Sequence, residues 1–204
     1  MEGKSAPHHE VWIWLCKTRR IMQLVKATDS AQWKEIRDLY EAAFPACEKK
    51  PFWLIQVKNK QGKADVWYLE NAGTFVGLAI TMNAKELVLL DYFAIDEKLR
   101  GQGFGSEGLK ALQDYYSGRQ FFLEAESVFA ESENAVQREQ RKRFYLKNGM
   151  NEMEMIANVF GTDLEVLGYN CKLDFETYRS VYEYAYGKRT AAHVELVPYP
   201  KKEA

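Results

Sequence analysis

Apolar positions recur along the chain at two spacings, near two and near 3.6, in short alternating blocks. Residues 22–27 form a short apolar run that predicts a strand. Thr28, Asp29 and Ser30 then offer N-cap oxygens, and Trp33, Ile36, Tyr40, Ala43 and Phe44 follow at helical spacing until Pro45 stops them. A second helical piece is expected over 51–58, ended by Gly62. Strands are expected at 65–70 and 74–81, separated by Asn71-Ala72-Gly73, and at 86–95, a nearly continuous apolar run. Further on, a helix over 106–117 ends at Gly118, with Leu109, Leu112 and Tyr116 on one face. A strand over 121–125 and a helix over 134–147 ending at Asn148-Gly149 come next. An antiparallel pair, 153–160 and 164–171, turns around Gly161-Thr162, and a helix over 174–186 is capped by Asp174.

The order predicts an α/β (α+β) domain: a mixed sheet with helices on both faces. At 204 residues the chain has room for one generous domain. No repeat or low-complexity linker divides it. It is read as an N-terminal extension at 1–21, one domain over 22–187 and a loosely held tail over 188–204.

Composition narrows the classes. A net charge of −1 argues against nucleic-acid binding by bulk electrostatics. No apolar stretch is long enough to span a membrane, so no membrane partner is expected. The run Val11–Leu15 is short for a signal peptide, and Arg19 and Arg20 follow rather than precede it. Cys16, Cys47 and Cys171 are far apart and form no CxxC, which fits thiols in a reducing cytoplasm. His8, His9 and His193 lie near the ends, so no metal site is expected.

The densest chemical signal is Leu99-Arg100-Gly101-Gln102-Gly103-Phe104-Gly105-Ser106-Glu107-Gly108. A glycine loop before a helix lets backbone N–H groups and the positive end of the helix dipole approach a pyrophosphate. Gly103 to Gly108 satisfies the dinucleotide pattern G-x-G-x-x-G, with Glu124 and Glu126 about twenty residues on. However, Asp96 to Arg100 separate the glycines from the strand, and only one further strand–helix unit follows. A P-loop is excluded because no G-K-[ST] follows the glycines.

The stretch from Leu90 to Gly105 resembles motif A of the GCN5-related N-acetyltransferases, whose core [RQ]-x-x-G-x-[GA] is met by Arg100, Gly103 and Gly105. Phe144-Tyr145-Leu146-Lys147-Asn148-Gly149-Met150 resembles the F-Y-x-x-x-G-F segment of motif B, Asn134-Ala135 the family's N-x-x-A element, and Phe44-Pro45 with Glu48 and Pro51 a substrate-side element of bacterial members. The resemblance covers about residues 22–187. It implies a mostly antiparallel sheet split at an acyl-CoA site. It implies that Arg100, Gly101, Gln102, Gly103, Phe104, Gly105 and Ser106 cradle the pyrophosphate of acetyl-CoA. Backbone groups of Phe93, Ala94 and Ile95 would pair with its pantetheine arm, and Asn134 would contact the cofactor. Tyr145 would protonate the leaving thiolate. The base that takes the amine proton is sought first at Asp91 and Glu126, and after them at Glu124, each an alternative ion-pair partner for an arginine. By strand alternation Asp91 is expected to share a face with Phe93 and Ile95. Acetyl transfer to an amine, of a small molecule or a protein, is the implied activity. A non-catalytic acyl-CoA sensor on the same fold is the alternative, and a homodimer is left open.

Overall fold

The computed structural model describes residues 22–46 and 48–200. Residues 1–21, with Cys16, His8 and His9, lie outside the described part, as do Cys47 and the last four residues. The chain runs β1 (Met22–Lys26), α1 (Ser30–Ala43), α2 (Phe52–Lys60), β2 (Ala64–Asn71), β3 (Thr74–Ala84), β4 (Leu87–Ile95), α3 (Phe104–Tyr115), β5 (Gln120–Glu126), α4 (Ala135–Lys147), β6 (Asn151–Val159), β7 (Thr162–Tyr169), α5 (Phe175–Tyr186), α6 (Lys188–Ala191) and β8 (Val194–Val197).

Among the described residues, eight strands form one sheet in the order β1-β2-β3-β4-β5-β7-β6-β8. All neighbours are antiparallel except β4 and β5. The local reasons are those the sequence offers. Asp29 accepts hydrogen bonds from Ala31 and Gln32 N–H at the start of α1, and Asp174 accepts one from Thr177 N–H at the start of α5. Ala72 and Gly73 both take positive φ, the two-residue turn that suits the twist of a β2–β3 hairpin. Phe160 and Gly161 do the same between β6 and β7.

Helices cover both faces. On one, α3 and α4 pack Leu109, Leu112 and Tyr145 against Leu69, Val88 and Leu123. On the other, α1 and α2 bring Ile36, Tyr40 and Ile55 onto Leu78, Ile80 and Tyr92, and α5 brings Tyr178, Val181 and Tyr182 onto Leu89, Phe122 and Val166. Burying such side chains contributes roughly 1.5–3 kcal/mol each before entropy is charged against it.

Two features differ from the sequence expectation. The described part of the supposed tail carries α6 and then β8, which pairs with β6 from Val159↔Val194 to Ile156↔Val197 and closes that edge. The second concerns Asp91. Ile80 faces Tyr92 while Thr81 faces Leu90, so Asp91 is the extra residue of a β-bulge. The bulge resets the alternation. Phe93 and Ile95 pack on the α3–α4 face, whereas Tyr92 and Ala94 pack on the α1–α2 face. Asp91 points to the latter side, bonded to Lys50 of the α1–α2 connection. It does not share a face with Phe93 and Ile95.

Candidate active site

The bulge lies where the sheet opens. β4 and β5 pair only from Leu87↔Gln120 to Leu90↔Leu123. β4 continues to Ile95 along β3, and β5 continues to Glu126 along β7. Beyond Leu90 and Leu123 the two strands therefore part. Asp91, Phe93, Ala94 and Ile95 line one lip, and Glu124, Ala125 and Glu126 line the other. The exposed edge of β4 is a place where an extended polar chain can add as a strand.

The glycine loop sits at the far end of that lip. Asp96 caps a 3-10 turn at Glu97–Leu99 by accepting from Lys98 N–H at 2.9 Å. Arg100 turns its Nε back to the Ile95 carbonyl at 3.2 Å, and the Gln102 amide donates to the Lys98 carbonyl at 3.3 Å. Gly101 and Gly103 have φ of 75° and 94°, which a side chain at either position would strain. Gly103 starts α3 without a side-chain cap. The first N–H bond of the helix runs from Glu107 to the Gly103 carbonyl, so the N–H groups of Gly105 and Ser106 have no carbonyl of α3 to bond. Gly105 is small for another reason. A Cβ there would sit 3.3 Å from Phe144 Cζ, so the start of α3 lies directly on α4. Two motifs about forty residues apart thus meet in space.

Tyr145, next to Phe144, is buried in the cluster that holds Ile95 from one lip and Ala125 from the other. Burial pushes its phenol pKa up, so it stays protonated through neutral pH. Among the described residues nothing hydrogen-bonds to its hydroxyl. Asn134 precedes α4 and donates its Nδ2 to Glu126 at 3.4 Å, while its Oδ1 is buried and has no hydrogen-bond partner among the described residues. An orphaned buried acceptor at a site is an invitation to a donor ligand. Glu126 is held by Arg138 at 2.7 Å and Arg141 at 3.2 Å, which ties α4 to the β5 lip.

Asp91 and Glu124 belong to a different cluster, on the α1–α2 and α5 side. The Lys50 ammonium contacts both Asp91 oxygens, at 2.6 and 2.8 Å, and lies 5.2 Å from the Tyr92 ring centre and 5.5 Å from that of Tyr186. Burial draws the Lys50 pKa down, but Asp91 and the neighbouring tyrosines outweigh it and the net direction is up. Glu124 accepts from the Tyr178 hydroxyl at 2.7 Å and stands 2.8 Å from the Tyr182 hydroxyl with either oxygen. Its pKa is raised by burial, with the tyrosine hydrogen bonds opposing and Asp91 adding to the rise. Among the described residues Glu124 has no cation at ion-pair distance, unlike Asp91 and Glu126.

Sequence reading therefore located the loop, the strand end, Tyr145 and Asn134, and the structure gathers them on the two lips and their α3–α4 flank. It missed Lys50, Tyr92, Tyr178, Tyr182 and Tyr186. The tyrosines of α5 carry a readable i, i+4, i+8 spacing. Lys50 carries no local signal. Elsewhere, a wide hollow lined by Gln120, Glu152, Glu154 and Cys171 lies at the start of β5, away from the split, and burial pushes the Cys171 thiol up to about 11, an unreactive state. Among the described residues no cluster of His, Cys, Asp and Glu is arranged to hold a metal, and no helix is long and apolar enough to cross a membrane.

Comparison with known proteins converges on one fold. A GNAT-family protein of Bacteroides thetaiotaomicron superposes over 82% of this chain and 98% of its own, with TM-score 0.66 and 19% identity. A chimera built on the spermidine N-acetyltransferase of Vibrio cholerae superposes over 73% and 94%, with TM-score 0.56 and 15% identity. An aminoglycoside 6′-N-acetyltransferase in complex with coenzyme A superposes over 72% and 95%, with TM-score 0.58 and 13% identity. At such identities the likeness shows the fold. No curated protein matches the sequence. The profile of the acetyltransferase (GNAT) family matches residues 33–150, more than half of the chain, and with the split sheet and its glycine loop this establishes that the chain belongs to that family.

Proposed function

We propose that the protein transfers an acetyl group from acetyl-CoA to a primary amine by direct attack within a ternary complex. The observation that carries this reading is the parting of β4 and β5 beyond Leu90 and Leu123, with a glycine loop at one end and, beside it, a buried tyrosine whose hydroxyl has no hydrogen-bond partner among the described residues. The residues suit the co-substrate: an open strand edge for an amide-bearing arm, an orphaned Asn134 Oδ1 for one of its N–H groups, and helix N–H groups for its pyrophosphate. Bound acetyl-CoA supplies an activated thioester.

The chain supplies the remainder. Arg100, Gly101, Gln102, Gly103, Phe104, Gly105 and Ser106 hold the pyrophosphate, mostly through backbone N–H groups. Phe93, Ala94 and Ile95 align the arm along β4, and a main-chain N–H of this strand polarises the thioester carbonyl. Holding both substrates in the split removes much of the entropic barrier. Tyr145 delivers its proton to the thiolate sulfur as the C–S bond breaks. The amine must lose a proton as it attacks. Of the three carboxylates, Asp91 is occupied by Lys50 and Glu126 by two arginines. Glu124, with no cation at ion-pair distance among the described residues and with its pKa raised by burial, takes the base role.

Thermal-shift titration with acetyl-CoA, CoA and NADH tests the co-substrate, and release of CoA thiol over a panel of primary amines tests the reaction. Stabilisation by acetyl-CoA and CoA, with amine-dependent thiol release, is expected. Stabilisation by NADH alone refutes the reading. Acetyl-CoA binding without turnover on any amine favours the sensor alternative instead.

A further inference from the structure

Lys50 is unusual in what surrounds it. It belongs to the connection between α1 and α2, and its backbone is pinned by two tyrosines: Tyr40 donates its hydroxyl to the Lys50 carbonyl at 2.9 Å, and the Lys50 N–H donates to the Tyr92 hydroxyl at 3.0 Å. From that fixed point the side chain delivers a primary ammonium to a carboxylate, Asp91, between two aromatic rings, Tyr92 and Tyr186. Asp91 follows the last β4 residue paired with β5, so this box opens at the split itself. Glu124, held by Tyr178 and Tyr182, follows the corresponding residue of β5. A carboxylate with aromatic faces is the chemistry that recognises an alkylammonium ion. The Lys50 side chain is 27% exposed against 6% for Asp91, so Lys50 is the less enclosed member of the pair.

We infer that Asp91, Tyr92 and Tyr186 form the ammonium subsite for the acceptor, that it takes an unbranched primary alkylammonium, and that Lys50 fills it in the free protein as an internal stand-in that the acceptor must displace. This rests on the acyl-transfer reading of the split. The box then has a division of labour: Asp91 and the rings hold the incoming ammonium, and Glu124 beside them receives the proton. Lys50 raises the acceptor concentration needed for occupancy without touching the acyl donor. The Lys58 ammonium lies 5.6 Å from the same Tyr186 ring, approaching from α2.

Lys50→Ala removes the three carbons and nitrogen that n-propylammonium restores. Binding of n-propylammonium to the full chain, followed by calorimetry and by thermal shift, is expected to be about tenfold tighter in Lys50→Ala than in the natural protein. Adding Asp91→Asn to Lys50→Ala should abolish the gain. Should Lys50→Ala not fold, Lys50→Ser removes the same three carbons and nitrogen and carries the same expectation. Equal affinity with and without Lys50, or a gain that survives Asp91→Asn, overturns the inference. Acetyl-CoA binding is followed in parallel. Stabilisation by acetyl-CoA with no gain for propylammonium overturns the box and leaves the acyl-transfer reading standing. A propylammonium gain without acetyl-CoA binding supports the box and overturns that reading.

Discussion

Lys142→Met separates what an ion pair costs from what its loss exposes. Lys142 stands in the middle of α4, one turn before Tyr145, with its ammonium 2.5 Å from Glu165 of β7 and 2.6 Å from Glu152 of β6. Burial draws its pKa down, but the two carboxylates outweigh this and the net direction is up. Methionine fills a similar volume and removes the charge. Glu152 is 30% exposed and can turn to water, but the Glu165 side chain is only 3% exposed. Orphaning one partner of a buried pair costs about 3–5 kcal/mol. Glu165 keeps one hydrogen bond, from Val128 N–H at 2.9 Å, which places the loss near the low end, about 3 kcal/mol. For a chain of this length that lowers the melting temperature by roughly 6–12 °C.

The assay is urea and thermal unfolding at pH 7, with Lys142→Met beside the double variant Lys142→Met/Glu165→Met. The double variant leaves only Val128 N–H without its acceptor, a penalty of about 1–3 kcal/mol, so it should be the more stable of the two. The pH dependence has a definite sign. In the natural protein the raised Lys142 pKa gives stability that is present below the unfolded value near 10.5 and is lost as pH rises through the higher folded value. The deficit of the single variant therefore persists through neutral pH and narrows in strong alkali. A double variant no more stable than the single one, or a single loss below about 1 kcal/mol, refutes the reasoning.

Tyr145→Phe should lower kcat by about a hundredfold or more while leaving acetyl-CoA affinity unchanged, read by thiol release and calorimetry; an unchanged kcat removes the acid role. Because burial raises the Glu124 pKa above 4.5, the rate should climb as pH rises through that higher value, and Glu124→Gln should flatten this limb; the same raised pKa means that the folded state loses stability relative to the Gln variant as pH rises through that interval, checked by melting curves between pH 4 and 8. Gly77→Ala would put a Cβ 2.4 Å from the Ala94 carbonyl and 2.9 Å from Ile95 Cδ1. It should cost about 1–3 kcal/mol and weaken acetyl-CoA binding, because the backbone that must give way is the proposed cofactor edge; unaltered binding with lost stability counts against that edge.

What could be read in the sequence was what is local. The glycine loop, the Phe144–Tyr145 pair, the N-caps and the hairpin turns each depend on a few neighbouring residues, and each appears where expected. The residues that escaped depend on register and on long-range contact. β8 is a four-residue strand between a short helix and prolines, and only its pairing with β6 distinguishes it from a tail. Lys50 meets Asp91 across 41 positions, and no periodicity marks either end of that contact. Glu124 could be named as a candidate, but its tyrosine partners lie 54 and 58 residues away on α5, and they make its environment different from that of Glu126.

The bulge at Asp91 links these failures to the site. Strand alternation assigns Asp91 to the face of Phe93 and Ile95, where it would confront the apolar cluster of α3 and α4. One inserted residue breaks that link: Asp91 keeps the side set by Val88 and Leu90 upstream, and the residues after it change sides. Upstream of the bulge, Val88 and Leu90 supply that cluster; downstream, Phe93 and Ile95 do, and the carboxylate between them is turned to the opposite side. A bulge also sharpens local twist, and here it coincides with the last paired residue of β4, Leu90. The same insertion thus accounts for two requirements at once. It helps β4 to leave β5 at the proposed cofactor edge, and it returns Phe93 and Ile95 to the α3–α4 cluster while Asp91 stays on the side of the α1–α2 and α5 tyrosines. A strand that kept strict alternation from Val88 and Leu90 would leave Asp91 on that side but would turn Phe93 and Ile95 away from the α3–α4 cluster.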